Sequence, residues 1–155
     1  MYNYANSFTG ETIMYAPVIV PRNFQPPKVS NEKQGIEAFH RYDWYFDWMK
    51  KILIKSHTGL FLVPCAKTKP IYSSSFHRNI YQKMAVRYGL GRAVLVVSEP
   101  VGLILYRHLR TLESAFMYEF PPIMLCRESR NLFIERLREM LIGKDVRACL
   151  LETSI

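Results

Sequence analysis

The sequence lacks the residues and segments that mark secreted, zinc-binding and membrane-spanning proteins. Its 155 residues include only three cysteines. Cys65, Cys126 and Cys149 are an odd number with no CxxC pair, which fits neither a disulfide framework nor a four-ligand zinc site. No segment reaches the roughly 18 apolar residues of a membrane helix, and no basic-then-apolar leader opens the chain. We therefore expect a cytoplasmic protein with no membrane partner.

Acidic residues are scarce relative to basic ones. The chain has 21 Lys plus Arg against 13 Asp plus Glu, which gives a formal net charge of +8. This excess suits a polyanionic partner such as RNA or DNA, and a charged surface that only aids solubility is the alternative. His40, His57 and His108 lie in no metal-ligand spacing. We expect neither a metal nor a cofactor.

What is present predicts a single α/β domain over residues 1–155. The length suits one domain of ordinary size. Two continuous apolar runs, Gly59–Val63 and Ala93–Val97, have the length of buried parallel strands. A helix from about Ser75 to Tyr88 would join them in a right-handed βαβ unit. The expected architecture is a three-layer sandwich with a mainly parallel central sheet.

Further elements are predicted on either side of this unit. Ligands of open parallel sheets bind beyond the carboxyl ends of the strands, so Cys65 and the Ser98-Glu99-Pro100 turn should share one edge. Within residues 1–58 we expect a strand at Thr12–Val20, a proline-bearing loop and a long helix from Ser30 to about Ile54. The second half should contain a helix at Gly102–Leu112, a strand at Ala115–Phe120, a helix at Ser129–Ile142 and a strand at Val146–Leu151.

The segment after the first buried run, VPCAKTKPIYSSSFH, concentrates reactive side chains. Cys65 can act as a nucleophile, His77 can move a proton near neutral pH, and Lys69 can hold an anion. Each has an alternative. Most free cysteines are small buried hydrophobes, a histidine just inside a helix can instead orient Ser74 or cap a backbone group, and lysines are often only surface charges.

The spacing of this segment resembles a known signature. Pro64-Cys65, Lys69-Pro70, Ser74 and His77 match Pro-Cys, three residues, Lys-Pro-Tyr, two residues, Ser, two residues, His. This is the signature of the core domain of archaeosine synthase, in the archaeal family related to tRNA-guanine transglycosylase. Ile71 stands where the signature has Tyr.

The resemblance extends over about residues 59–140. Ser98-Glu99-Pro100-Val101-Gly102-Leu103 resembles the family's Ser-Pro-Leu-Gly turn with one extra residue. Tyr118-Glu119-Phe120-Pro121 resembles its Tyr-Asp-hydrophobe-Pro. The chain departs from the family at Leu105-Tyr106, where Pro-Arg is expected, and at Met117, where His is expected.

The resemblance implies a fold, an activity and a set of site residues. The fold would be like that of uracil-DNA glycosylase. The activity would add an amine, lysine in the family, to the nitrile of 7-cyano-7-deazaguanine in tRNA. Catalysis would use Cys65, His77 and Lys69, and substrate binding would use Ser74, Ser98, Glu99, Tyr118 and Glu119. The basic composition adds candidates for RNA binding along the following helix, namely Lys67, Arg78, Lys83 and Arg87.

Other functions remain open at this point. Full-length family members also carry a transglycosylase-like region and an RNA-binding domain, for which this chain is too short. A basic surface of its own, a partner protein or a homo-oligomer would then supply tRNA docking. One alternative function is a non-catalytic nucleic-acid-binding or adaptor module that keeps the fold, as the departures at Ile71 and Met117 would suggest. Another is a glycosylase-type activity, but we find no convincing Asp and His pair for it.

Overall fold

The chain folds as a mixed α/β structure around one sheet. The computed structural model describes residues 17–55, 60–66, 69–75, 77–79, 93–121, 126–144 and 146–148. Within them lies a four-stranded sheet with the spatial order β3-β2-β1-β4. Its strands are β1 (Leu60–Pro64), β2 (Ala93–Ser98), β3 (Gly102–Leu105) and β4 (Val146–Ala148).

The two apolar runs predicted as buried strands are neighbours in this sheet. β1 pairs with β2 in parallel, in a register that runs from Leu60 opposite Ala93 to Pro64 opposite Val97. β1 also pairs in parallel with β4 on its other side. Leu60, Phe61 and Val63 are buried, as expected for a central strand without a polar face. The predicted parallel pair is therefore confirmed.

β3 corrects the prediction of a helix at Gly102–Leu112. Residues Gly102–Leu105 form a strand antiparallel to β2, and only His108–Thr111 form a helix, α3. All four residues of β3 are buried, so this run has no polar positions at helical spacing to face solvent. Gly102 has φ +109°, a backbone conformation that favours glycine, and it allows the tight reversal after β2.

The predicted long helix is two helices. They are α1 (Glu32–Arg41) and α2 (Asp43–Lys55), separated at Tyr42. The N-cap of α1 is Asn31, not Ser30, because the Asn31 Oδ1 accepts the Gln34 N–H at 2.9 Å. The Gln34 Oε1 in return accepts from the Ser30 N–H at 2.9 Å, so the side chains satisfy backbone donors at the helix start.

Tyr42 explains the interruption between α1 and α2. Its side chain is fully buried, and its hydroxyl donates to the carbonyl oxygen of Ala115. Its ring packs edge-on against Tyr118, with centroids 5.9 Å apart. The Tyr42 N–H bonds to Phe39 O, three residues back, instead of four. Packing of this one ring into the core therefore decides where the first helix ends.

The C-terminal half contains one long helix, α4 (Arg127–Leu141), with Cys126 as its N-cap. This confirms the helix predicted at Ser129–Ile142. Arg136 of α4 is buried and connects this helix to α1, α2 and the turn before β3. Its guanidinium donates to Phe39 O at 2.6 Å, to Val101 O at 3.5 Å and to the Asp43 carboxylate. Burial lowers the pKa of Arg136, and the charge of Asp43 opposes that shift.

The strand predicted at Ala115–Phe120 is wrong. Residues Glu113–Phe116 form a 3₁₀ turn, and Glu119 makes one isolated parallel bridge with Lys28. In that bridge the Val29 N–H donates to Glu119 O at 3.0 Å, and the Glu119 N–H donates to Pro27 O at 3.1 Å. The segment is fixed by the N-terminal loop instead of by the sheet.

Several other predictions fall partly outside the described residues. Residues 17–20 are not strand, and residues 12–16 of the predicted N-terminal strand are not described. Residues 75 and 77–79 are helical, and residues 80–88 of that predicted helix are not described. The last predicted strand is confirmed at Val146–Ala148. Over the described ranges, no helix is both long and apolar enough to cross a membrane.

Candidate active site

Cys65 and Ser98 meet at the carboxyl edge of the parallel strand pair. Cys65 follows the last residue of β1, and Ser98 is the last residue of β2. Because Pro64 lies opposite Val97 in the sheet, the next residue of each strand is also a neighbour. The Ser98 Oγ donates to the Cys65 Sγ at 3.0 Å. Cys65 is half-buried, and the predicted shared edge is present.

Lys69 returns to the same sulfur from the loop after β1. Its Nζ donates to the carbonyl oxygen of Ala66 at 2.7 Å and to the Cys65 Sγ at 3.3 Å. The same Nζ lies 4.8 Å from the centre of the Tyr118 ring, a distance at which an aromatic face attracts a cation. The carbonyl and the ring hold the ammonium beside the sulfur, where it can balance negative charge.

Tyr118 lies next to the Cys65 sulfur, and its side chain is almost completely buried. Its hydroxyl is hydrogen-bonded to the Ser98 Oγ and lies 4.0 Å from the Cys65 Sγ. Burial raises the pKa of Tyr118 well above its usual value, and the neighbouring Cys65 adds to that shift. The tyrosine therefore stays protonated at neutral pH, so Ser98 and Tyr118 form a hydroxyl pair beside the thiol.

His77 supports the same loop from inside the protein. The side chain is fully buried, and its ring stacks on that of Tyr106 with centroids 6.1 Å apart and an interplanar angle of 27°. Burial lowers the pKa of His77, the charge of Lys69 acts in the same direction, and hydrogen bonds with the backbone of Pro64 and Cys65 oppose the shift. His77 is therefore neutral at pH 7 and contacts the backbone that carries the thiol.

The other predicted substrate-binding residues differ in position. Glu99 is half-buried and close enough to Tyr118 for its charge to add to the rise in the tyrosine pKa. Ser74 is half-buried, and its carbonyl accepts the Arg78 N–H at 3.1 Å. Glu119 is exposed, and the contacts described for it are the backbone bonds of its bridge. Of these three residues, the structure places Glu99 near Tyr118 and the thiol. The contacts described for Ser74 and Glu119 are made by their backbone atoms.

A basic and aromatic edge lies beside the site, around the 3₁₀ turn Ile71–Ser73. The guanidinium carbon of Arg110, in α3, lies 4.5 Å from the centre of the Tyr72 ring. Arg78 is exposed, and its Nη2 donates to Ser73 O at 3.3 Å. We call Tyr72, Arg78 and Arg110 the basic edge. No sequence pattern indicates Tyr72 or Arg110 as site residues, because the packing of α3 on this turn is what brings them together.

Three of the predicted RNA-binding residues, Lys67, Lys83 and Arg87, lie outside the described residues. Arg78 is the fourth, and it lies on the basic edge. Over the described ranges, no group of histidine, cysteine and acidic side chains is placed to hold a metal ion.

Comparison with known proteins gave no relative for this chain. Searches of protein-family models, of curated proteins and of solved structures returned no match. Function is therefore inferred from the motif residues and from the geometry of the site.

Proposed function

We propose that this protein adds an amine to the nitrile of 7-cyano-7-deazaguanine in tRNA, as an archaeosine synthase-like enzyme. The observation that carries the proposal is the environment of the Cys65 sulfur, with Ser98 Oγ at 3.0 Å and Lys69 Nζ at 3.3 Å. The parallel strand pair below it supports a three-layer fold like that of uracil-DNA glycosylase. A thiol with proton donors on two sides suits addition to a carbon–nitrogen triple bond.

The reaction has two steps, addition of the thiol to the nitrile and displacement of the thiol by the amine. The Cys65 sulfur attacks the nitrile carbon, a C–S bond forms, and one C–N π bond opens. The nitrile nitrogen takes up a proton from a neighbouring donor, that donor regains the proton lost by the thiol, and the product is a thioimidate. Ser98 and Lys69 each present a proton beside the sulfur, so either can supply it. The amine then attacks the same carbon, the C–S bond breaks, and the thiol is restored with an amidine as the product.

His77 has a positioning role in this scheme. Its ring lies close enough to the backbone of Pro64 and Cys65 for these groups to oppose the lowering of its pKa, and Tyr106 donates a hydrogen bond to its carbonyl at 3.4 Å. These contacts support the alternative in which His77 orients the loop over the alternative in which it transfers the proton. Glu99, half-buried near Tyr118, is the candidate for binding the ammonium group of an incoming lysine.

The tRNA would dock on the basic edge. Arg78 and Arg110 of α3 place positive charge at the turn Ile71–Ser73, and Tyr72 offers an aromatic ring that can stack on an unpaired base. Lys67, Lys83 and Arg87 would extend this surface. A partner protein or a second copy of the chain would supply further contacts, and the protein would work in the cytoplasm.

The deciding experiment uses tRNA that carries the nitrile base. With labelled lysine we expect transfer of label to the tRNA. Without amine, we expect a covalent adduct on Cys65 that mass spectrometry locates. Cys65→Ser should keep RNA binding and lose transfer, because a serine hydroxyl supplies almost no anionic nucleophile at neutral pH. Cys126→Ser is the matched control and should remain active. Transfer by Cys65→Ser at a rate close to that of the native protein would refute the covalent scheme.

A non-catalytic nucleic-acid-binding module is the second candidate. The basic edge favours it, because the contact of Arg110 with the Tyr72 ring and the hydrogen bond from Arg78 to Ser73 O do not involve the thiol. This function predicts tRNA binding that is equal for wild type and Cys65→Ser, with no label transfer by either.

A further inference from the structure

Cys65 and Lys69 form a thiol–amine pair that is already at reaction distance. Their Sγ and Nζ atoms are 3.3 Å apart, and both side chains are half-buried, so a small solute can reach them. The carbonyl of Ala66, at 2.7 Å from Nζ, and the ring of Tyr118 hold the amine in place. The Lys69 nitrogen is therefore already positioned beside the Cys65 sulfur and does not have to move in from solvent.

We propose that Cys65 and Lys69 are a modification site at which peroxide forms a covalent sulfur–nitrogen crosslink. In the first step the sulfur attacks one oxygen of hydrogen peroxide and the O–O bond breaks. Cys65 becomes a sulfenic acid and one water leaves, so the sulfur loses two electrons and the peroxide gains them. A sulfenic acid normally goes on to react with a nearby thiol or nitrogen.

In the second step the Lys69 ammonium first releases one proton to water, and the resulting amine attacks the sulfur of the sulfenic acid. An S–N bond forms, the S–O bond breaks, and the oxygen leaves as a second water after taking up one proton, while the nitrogen loses one. The hydroxyl of Ser98, 3.0 Å from the sulfur, can donate to the departing oxygen. The net change in the protein is the loss of two hydrogen atoms.

The crosslink requires neither tRNA nor turnover, so it goes beyond the proposed function and can be tested apart from it. The crosslink joins Cys65 to Lys69 across the loop after β1. Neither the thiol nor the amine can then react with another group. Thiol reductants reverse an S–N bond of this kind, because a thiolate attacks the sulfur and releases the amine.

The test is mass spectrometry of the purified full-length chain after brief treatment with hydrogen peroxide, with digestion in the absence of reductant. We expect the peptide that contains Cys65 and Lys69 to be lighter by two hydrogen atoms, to resist thiol alkylation, and to give no fragments from cleavage between the two residues. Dithiothreitol should restore the original mass. Cys126 is the internal control, because the contacts described for its sulfur are with Ser129 and not with an amine.

Lys69→Arg is the matched variant, because it keeps the positive charge and removes the primary amine. Its Cys65 should stop at the sulfenic acid and be trapped by dimedone. The result in the wild-type chain decides the matter even if this variant does not fold. A gain of oxygen at Cys65 with Lys69 unmodified, a bridge that retains oxygen, a disulfide, or a Cys65 that does not react would each overturn the proposal.

Discussion

At the scale of single residues, the chemistry of the site depends on hydroxyl groups that surround one sulfur. Ser98 is fully buried and is hydrogen-bonded both to the Cys65 Sγ and to the Tyr118 hydroxyl. A buried hydroxyl pair of this kind is favourable only while each member keeps its partner. Ser98 is therefore the residue whose loss should affect both stability and reactivity.

We predict that Ser98→Ala lowers the free energy of unfolding by about 1–3 kcal/mol, the usual cost of leaving a buried polar group such as the Tyr118 hydroxyl without its partner. Urea unfolding measures this. The control is Ser73→Ala, at an exposed position where the hydroxyl donates to Pro70 O, and it should change stability by less than about 0.5 kcal/mol. Equal effects of the two substitutions would show that the hydroxyl pair contributes nothing special.

His108 should make the stability of the protein depend on pH. It is buried, its Nδ1 lies 2.7 Å from the Tyr45 hydroxyl, and that oxygen already accepts the Leu105 N–H. Tyr45 therefore has its own proton to donate, which requires Nδ1 to be unprotonated. Burial lowers the pKa of His108 to about 4, and the charge of Arg107 adds to the shift.

Because the folded pKa is below that of an unfolded histidine, about 6.5, the unfolded chain binds more protons between these values. The free energy of unfolding should have its full value above about pH 6.5. It should fall by about 3 kcal/mol in total as the pH falls toward 4. Urea unfolding at a series of pH values from about 7.5 to about 4.5 measures the slope. His108→Gln should reduce that slope. An unchanged slope in His108→Gln would contradict the prediction.

At the scale of elements, Arg136 joins α4 to α1, α2 and the turn before β3. Arg136→Met should lower the free energy of unfolding by about 2–4 kcal/mol, because the Phe39 and Val101 carbonyls lose their charged donor. The Asp43 side chain is 50% exposed, so water can solvate it and the loss stays below that of a fully buried pair. Arg138→Met, at an exposed position of the same helix, should change stability by less than about 0.5 kcal/mol. Similar losses for both would mean that the Arg136 contacts are not stabilising.

The elements that could be predicted from sequence are those whose local pattern and final packing agree. β1, β2 and α4 have apolar runs or helical periodicity bounded by residues that end such elements. β3 could not be predicted, because what makes Gly102–Leu105 a strand is its pairing with β2. The break at Tyr42 is also non-local, since the hydroxyl bonds to Ala115, far along the chain.

The site was predictable to the same extent. Cys65, Lys69 and Ser98 could be grouped because two parallel strands end side by side. The burial of His77, the position of Tyr118 below the thiol, and the stacking of Arg110 on Tyr72 depend on contacts between distant segments. The resemblance assigned His77 and Tyr118 to the site, but the spacing of residues does not indicate which side chains they contact.

At the scale of the whole molecule, the formal net charge of +8 attracts any polyanion without specifying where it binds. The basic edge provides a location, because Arg78 and Arg110 both contact the turn Ile71–Ser73, which begins two residues after Lys69. A phosphate backbone bound there would pass close to the thiol. Net charge alone would instead give weak binding spread over the surface.

These two possibilities differ in their dependence on salt. If tRNA binds at the basic edge, the double variant Arg78→Gln/Arg110→Gln should reduce the slope of log affinity against log salt by about 1.4–1.8, since each lost phosphate contact removes about 0.7–0.9. The control, Arg127→Gln/Arg138→Gln, removes the same charge from exposed positions of α4 and should leave the slope nearly unchanged. Filter binding or fluorescence anisotropy across a salt series measures both, after circular dichroism has shown that each variant is folded. Equal changes of slope in the two variants would mean that binding follows net charge and that the basic edge is not the docking surface.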